Sequence, residues 1–324
     1  MNLTDSFGRT FSYLRLSVED ACNFRCQYCL PDGFHKTDPE PPLSVDEIRR
    51  LAAAFAGMGF WKVRLTGGEP TVRQDIVEIA RAVAATPGIR KVNLSTNGYR
   101  LVELAKALAL SGVEAVNVSV DSLDRERFKA ITGQDRLPAV MSGIERCLEL
   151  GLTVKVNVVL MKDLNDREFE RFVGWTRETP LAVRFIELMP TADNKEFFER
   201  RHLSAQGLLA WLSEHGWEAR PRQEGDGPAR RFKHLEHRGG IGLIAPYSKD
   251  FCSSCNRLRV TSRGGLRLCL FADSDSSLRH LLQRDDQAAE LQETVRTLLN
   301  RKEVSHYLPD GKVGNAKHFA MMGG

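Results

Sequence analysis

Three cysteines, Cys22, Cys26 and Cys29, stand in a C-x3-C-x2-C pattern inside Asp20-Ala-Cys-Asn-Phe-Arg-Cys-Gln-Tyr-Cys-Leu-Pro31. Thiolates so close in sequence can converge on one metal centre from a single loop. Iron–sulfur clusters usually take four cysteines. A local triplet with no obvious fourth ligand therefore points to a cubane with one iron left open to a small molecule. A structural zinc site is the alternative, although zinc prefers C-x2-C pairs and a closed fourth position. A second triplet, Cys252, Cys255 and Cys269, is spaced C-x2-C-x13-C. It carries the same two readings, with Asp273 or His280 available to complete a zinc site. The seventh cysteine, Cys147, lies in a helical pattern and reads as a small buried hydrophobe.

Charge and composition limit what else the chain can be. With 46 Lys and Arg against 42 Asp and Glu, the net charge is +4. That is too balanced for a protein that lives on bulk nucleic acid, yet it allows a local cationic site for a small anion. The first ten residues are polar and lack a signal-like apolar segment. No apolar run approaches a membrane span in length. These features, with cysteines grouped as ligands rather than paired, lead us to expect a cytoplasmic protein.

The elements that must position the cysteines alternate. Strand patterns at 11–18, 61–66, 91–95, 115–120, 153–159 and 182–188 are separated by helical patterns at 44–56, 74–85, 101–111, 124–131, 138–150 and 166–179. Ser44 and Glu47 form a capping box at the first helix. Such alternation argues for βαβ units on a parallel sheet. Six units fit a partial (βα)6 barrel of the TIM type or an open doubly wound sheet. In both, chemistry belongs at the carboxyl ends of the strands. The cysteine loop, Gly67-Gly68-Glu69-Pro70, Ser95-Thr96-Asn97-Gly98, Asp121-Ser122 and Met189-Pro190 all fall there. We expect residues 1–190 to form the barrel and 191–324 a C-terminal segment with the second triplet. Within it, Gly216–Gly240 reads as a loop or irregular crossing, and 277–283 and 288–301 as helices.

The cysteine loop with Tyr28 before its last cysteine, followed after one helix by Gly67-Gly68-Glu69-Pro70, resembles the radical S-adenosylmethionine (SAM) superfamily. With the second triplet, Arg257 and Arg259, Arg64-Leu-Thr, Ser95-Thr-Asn-Gly, Asn117-Val-Ser-Val-Asp, Lys155-Val-Asn, Arg184-Phe-Ile-Glu-Leu-Met and Gly323-Gly324, the resemblance extends to the GTP 3′,8-cyclases of molybdenum cofactor biosynthesis. It implies that Cys22, Cys26 and Cys29 hold a [4Fe–4S] cluster whose open iron binds SAM. It implies SAM contacts at Tyr28, Gly68, Ser119 and Met189. Cys252, Cys255 and Cys269 would hold a second [4Fe–4S] cluster facing the guanine. Arg15, Arg64, Ser95, Lys155, Arg257, Leu258 and Arg259 would bind GTP, and Gly323-Gly324 would enter the cavity. The resemblance further implies a homodimer, an electron donor such as flavodoxin or ferredoxin, and cyclic pyranopterin monophosphate synthase as the downstream enzyme. Physical chemistry agrees on the cations: a triphosphate needs several, and arginine offers a planar donor fork. Arg257 and Arg259, two apart on a strand, would point the same way, and Lys155 between two valines is hard to explain as a surface charge.

Overall fold

A computed structural model describes residues 2–36, 39–315 and 317–322. The expectation for Gly323-Gly324 lies outside them. Two short strands, β1 (Leu3–Thr4) and β2 (Thr10–Phe11), form an antiparallel hairpin. The alternating region follows as β3 (Tyr13–Glu19), α1 (Val45–Gly57), β4 (Lys62–Gly67), α2 (Ile76–Ala84), β5 (Lys91–Thr96), α3 (Leu101–Leu110) and β6 (Val113–Ser119). It continues with α4 (Arg125–Thr132), α5 (Leu137–Glu149), β7 (Thr153–Leu160), α6 (Phe169–Glu178) and β8 (Ala182–Glu187). Next come α7 (Lys195–Arg201), α8 (Gln206–Glu214), β9 (Glu218–Arg220), β10 (Arg230–Lys233) and β11 (Gly240–Ile244). The chain ends with β12 (Arg257–Val260), β13 (Gly265–Arg267), β14 (Ser276–Ser277) and α9 (Ala288–Leu299).

Strands β3 to β8 lie side by side in chain order, each parallel to the next. Sequential order without reversal excludes a doubly wound sheet. Right-handed crossovers then place every helix on one face, as in a barrel. The C-terminal segment extends this sheet at both edges. β12 pairs parallel with β3, and β11 pairs parallel with β8. The whole sheet runs β14-β13-β12-β3-β4-β5-β6-β7-β8-β11-β10-β9.

The two-residue alternation of strands sorts the side chains. Leu14, Leu16 and Val18 of β3, Val154, Val156 and Val158 of β7, and Val183 and Phe185 of β8 are buried in one core beneath the helices. The alternate residues, Arg15, Lys155 and Arg184 among them, face the concave side. The capping box at Ser44 and Glu47 is present: each accepts from the other's backbone N–H, at 3.2 and 2.8 Å. Among the described residues no helix is long and apolar enough to cross a membrane.

Two expectations for the C-terminal segment are corrected. Gly216–Gly240 is not an irregular crossing, because β9 and β10 pair antiparallel within it and β10 joins β11. All three residues of β9 are exposed, so no apolar alternation marks it. The helix expected at 277–283 is a single 3-10 turn, Arg279–Leu281. Ser276 and Ser277 pair with β13, and Leu278 N–H donates to Gly264 O at 2.8 Å, so the start of the segment is held against that strand instead of opening a helix. Helices α7 and α8 were not marked by the sequence patterns.

Cys147 sits on α5 and is fully buried in the main core. Cys147→Ala should leave the iron content of the purified chain unchanged and cost about 1 kcal/mol of stability. Iron analysis beside thermal denaturation checks both.

Candidate active site

The concave side of the sheet encloses one cavity lined by all six grouped cysteines. All six are free thiols. The first loop is held by backbone as much as by side chains. Gly68 N–H donates to Glu19 O and Glu69 N–H to Ala21 O, both at 2.8 Å. This close approach is possible only without side chains: a Cβ on Gly67 would lie 2.1 Å from Glu19 O, and one on Gly68 2.3 Å from Asp20 O. Gly67 also adopts φ +153, which disfavours an L side chain. Glu69 is fully buried. It accepts from Asn97 N–H at 2.6 Å, Thr96 Oγ1 at 2.8 Å and Thr71 N–H at 2.9 Å, which fixes this turn to the end of β5. Asp20 on the cysteine loop accepts from Ser262 Oγ at 2.7 Å and pairs with Arg263, both in the C-terminal segment.

Burial pushes the thiols of the first triplet up: Cys22 to about 12, Cys29 to about 11, and Cys26 well above the usual thiol range. The nearby carboxylates add to the rise, Glu69 beside Cys22 and Asp121 beside Cys26 and Cys29. Thiolates form here only with positive charge among them, which is what iron supplies. Among the described residues, no three His, Cys, Asp or Glu side chains are gathered as they would be around one ion. A donor set made only of cysteine thiols on one cavity wall fits an iron–sulfur cluster. In the second triplet, burial raises Cys252, while Cys255 is lowered to about 7 because Arg257 and Lys302 outweigh its burial. Arg257 Nη2 stands 3.9 Å from Cys255 Sγ.

Tyr28, Gly68, Ser119 and Met189 all border the cavity near the first triplet. Tyr28 hydroxyl donates to Asp121 Oδ2 at 2.9 Å, and Asp121 Oδ1 accepts from Val159 N–H at 2.8 Å. Burial raises Asp121 to about 6, against the lowering effect of those two donors. Asn194 Nδ2 donates to Tyr28 O at 2.9 Å and Met189 O at 3.3 Å, tying the cysteine loop to the end of β8. Phe319 packs on Cys29, Met189 and Leu270, so the C-terminal tail reaches this wall.

Three of the cations stand side by side on neighbouring strands. Arg259 of β12, Arg15 of β3 and Arg64 of β4 are register partners in sequence. Arg64 Nη1 donates to Ser95 Oγ at 3.1 Å. Lys155 and Arg184 continue the belt on β7 and β8, and Arg257 lies two residues before Arg259. Crowded together and largely withdrawn from water, these groups disfavour one another's charge. Burial, then Arg259, holds Arg15 well below its usual value. Burial, then Arg184, Arg64, Lys62 and Lys91, lowers Lys155 to about 6. Arg64 Nε, Asn117 Oδ1 and Asn157 Oδ1 are buried on this wall with no hydrogen-bond partner among the described residues. The concave surface is thus prepared for an anionic, polar ligand.

Leu258 does not share the cavity. Its side chain is fully buried in the main core, because alternation turns it away from Arg257 and Arg259. The sequence reading also missed three members of the cationic wall. Lys62 donates to Gly225 O at 2.7 Å and lies 4.4 Å over the Tyr13 ring. Tyr13 itself is lowered to about 7: burial raises it, but Arg64, Arg15, Lys62 and Arg184 prevail. Arg184 was inside a quoted motif, and the inward alternation with Ile186 was the signal that could have singled it out. Asn194 left no such signal.

Residues 16–176 match the model of the radical SAM superfamily, and residues 181–308 match Molybdenum Cofactor Synthesis C. The fold is shared with Streptococcus suis SuiB bound to S-adenosylmethionine, with a TM-score of 0.64 at 14% identity over 88% of this chain and 68% of that one. A radical SAM fold with a molybdenum-cofactor C-terminal region defines the class. GTP 3′,8-cyclase of Stenotrophomonas maltophilia strain R551-3 is 52% identical over 99% of both chains. That of Actinobacillus succinogenes is 49% identical over 99% of this chain and 96% of its own. The chain belongs to the GTP 3′,8-cyclase family of radical SAM enzymes.

Two outcomes follow from this geometry. A methyl group at Gly68 strikes two carbonyls of the cysteine loop. Gly68→Ala should therefore cost roughly 3 kcal/mol and lower iron loading at the first site, read by iron analysis and thermal unfolding. Lys155 is neutral above about pH 6 in the empty site, and a bound triphosphate favours its charged form. Binding then takes up a proton, so affinity should weaken as pH rises above 6, by up to ~tenfold per unit, and level off below. Lys155→Arg should flatten this profile. Comparing the two proteins by calorimetry cancels the titration of the triphosphate itself.

Proposed function

We propose that this chain is a radical SAM GTP 3′,8-cyclase, converting GTP to 3′,8-cyclo-7,8-dihydro-GTP in the first step of molybdenum cofactor biosynthesis. The observation that carries the reading is one cavity lined by both cysteine triplets and by a belt of cations, Arg64 and Arg259 buried and the others half-buried. Cys22, Cys26 and Cys29 hold the [4Fe–4S] cluster that binds SAM, and Cys252, Cys255 and Cys269 hold a second. When bound, the first cluster and SAM supply a 5′-deoxyadenosyl radical able to remove hydrogen from ribose carbon 3′.

The chain's own residues do the positioning. Gly68, with no side chain, lets backbone approach the SAM amino acid. Tyr28, held by Asp121, together with Ser119 and Met189, closes the wall around the nucleoside. Arg15, Arg64, Lys155, Arg257 and Arg259 neutralise the triphosphate, with Ser95 holding Arg64 in place. Several charge-assisted bonds at fixed points orient the ribose toward the first site and the guanine toward the second. The product is a cyclised nucleotide triphosphate, handed to cyclic pyranopterin monophosphate synthase. Electrons come from a small carrier of the flavodoxin or ferredoxin kind.

Anaerobic incubation with GTP, SAM and dithionite should give 5′-deoxyadenosine and the cyclised nucleotide in equal amounts by liquid chromatography. Cys22→Ala should abolish both. A variant still forming either product would refute the assignment of the first triplet.

A further inference from the structure

The β1–β2 hairpin lies outside everything the reaction has used so far. Its turn is built around one ion pair. Arg9 Nε donates to Asp5 Oδ2 at 2.7 Å, and the backbone N–H groups of Arg9 and Phe7 donate to Asp5 Oδ1 at 2.9 and 3.0 Å. The two side chains are 5% and 0% exposed. Desolvating such a pair is costly, and a short hairpin does not need one for its own stability.

The remaining guanidinium nitrogens leave the hairpin altogether. Arg9 Nη2 donates to Glu303 O at 2.7 Å, and Nη1 to Val304 O at 2.9 Å and Cys252 O at 3.4 Å. These carbonyls belong to two segments that meet at the second triplet. One is the irregular loop between β11 and β12, which carries Cys252 and Cys255. The other is the stretch after α9, where Ser305 Oγ stands 3.8 Å from Cys252 Sγ. His306 joins the same two segments: its Nδ1 accepts from Leu308 N–H at 2.9 Å, which leaves Nε2 to donate to Pro246 O at 3.0 Å.

We infer that Arg9, oriented by Asp5, is a positioning residue for the second cysteine site. It clamps the Cys252 loop against residues 303–306, and as the end of the ion pair that bonds Cys252 O it favours the more negative, reduced state of a cluster held there. The inference rests on the two-cluster reading above.

The test uses the full chain, reconstituted anaerobically, with iron and sulfide analysis, circular dichroism and electron paramagnetic resonance of the dithionite-reduced protein. The unsubstituted chain should hold roughly eight irons as two [4Fe–4S] clusters, one of whose signals changes on adding SAM. Arg9→Ala should lose about half the iron and keep the SAM-responsive signal. Arg9→Lys, which keeps the charge but not the planar fork, should retain iron and alter the line shape of the other signal. In a background with Cys22, Cys26 and Cys29 all replaced by Ala, Asp5→Asn should shift the potential of the remaining cluster. Full iron in Arg9→Ala, with the second signal and potential unchanged, overturns the inference. If Arg9→Ala does not fold, an unaltered second signal in Arg9→Lys overturns it instead. An unsubstituted chain with four irons and one signal overturns the two-cluster reading and leaves a different result to explain.

Discussion

The site depends on a splice between two pieces of backbone. Gly67 and Gly68 lie so close to Glu19, Asp20 and Ala21 that no side chain fits between them. Two N–H groups of this turn serve the carbonyls of the cysteine loop. The irregular loop thereby gains the precision of a strand edge. Glu69 then transmits that position to β5 by accepting from Thr71, Thr96 and Asn97. A fully buried carboxylate is stable only when its lone pairs are filled, and here neighbouring turns fill them. The thiols, the turn and the end of β5 therefore move as one body.

Electrostatics divides the cavity. Carboxylates, Glu69 and Asp121, stand beside the first triplet, whereas Arg257 and Lys302 stand beside the second. A belt of cations that disfavour one another's charge lines the same cavity. Arg259, Arg15 and Arg64 are adjacent in register, at the spacing of roughly 4.8 Å between strands. Such a surface is unfavourable when empty and favourable when a triphosphate fills it. Part of the folding free energy is thus invested in affinity for the substrate.

Much of this was legible in the sequence, because strands and their carboxyl-terminal loops leave local marks. The six alternating units and both cysteine triplets follow from period-two patterns and short motifs, and the family resemblance implied the cations on β3, β4, β7 and β12. What escaped was set by tertiary context. Strand β9 is exposed along its length, so no apolar face marks it. The start of the 277–283 segment is taken up by pairing with β13 and by a bond to Gly264. Leu258 was grouped with its neighbours, although alternation sends it to the opposite face. Asn194 and Lys62 act through backbone carbonyls distant in sequence, and single residues of that kind carry no local pattern.

The two outermost parallel strands bear on how the molecule is made. β11 and β12 cover the two edges of a six-strand sheet that is complete by residue 187. During synthesis both edges remain unpaired until residues 240–260 emerge, and open strand edges invite pairing with other chains. Asp20 likewise waits for Ser262 and Arg263. The cysteine loop is consequently fastened on one side by the early Gly67-Gly68 turn and on the other by the last third of the chain.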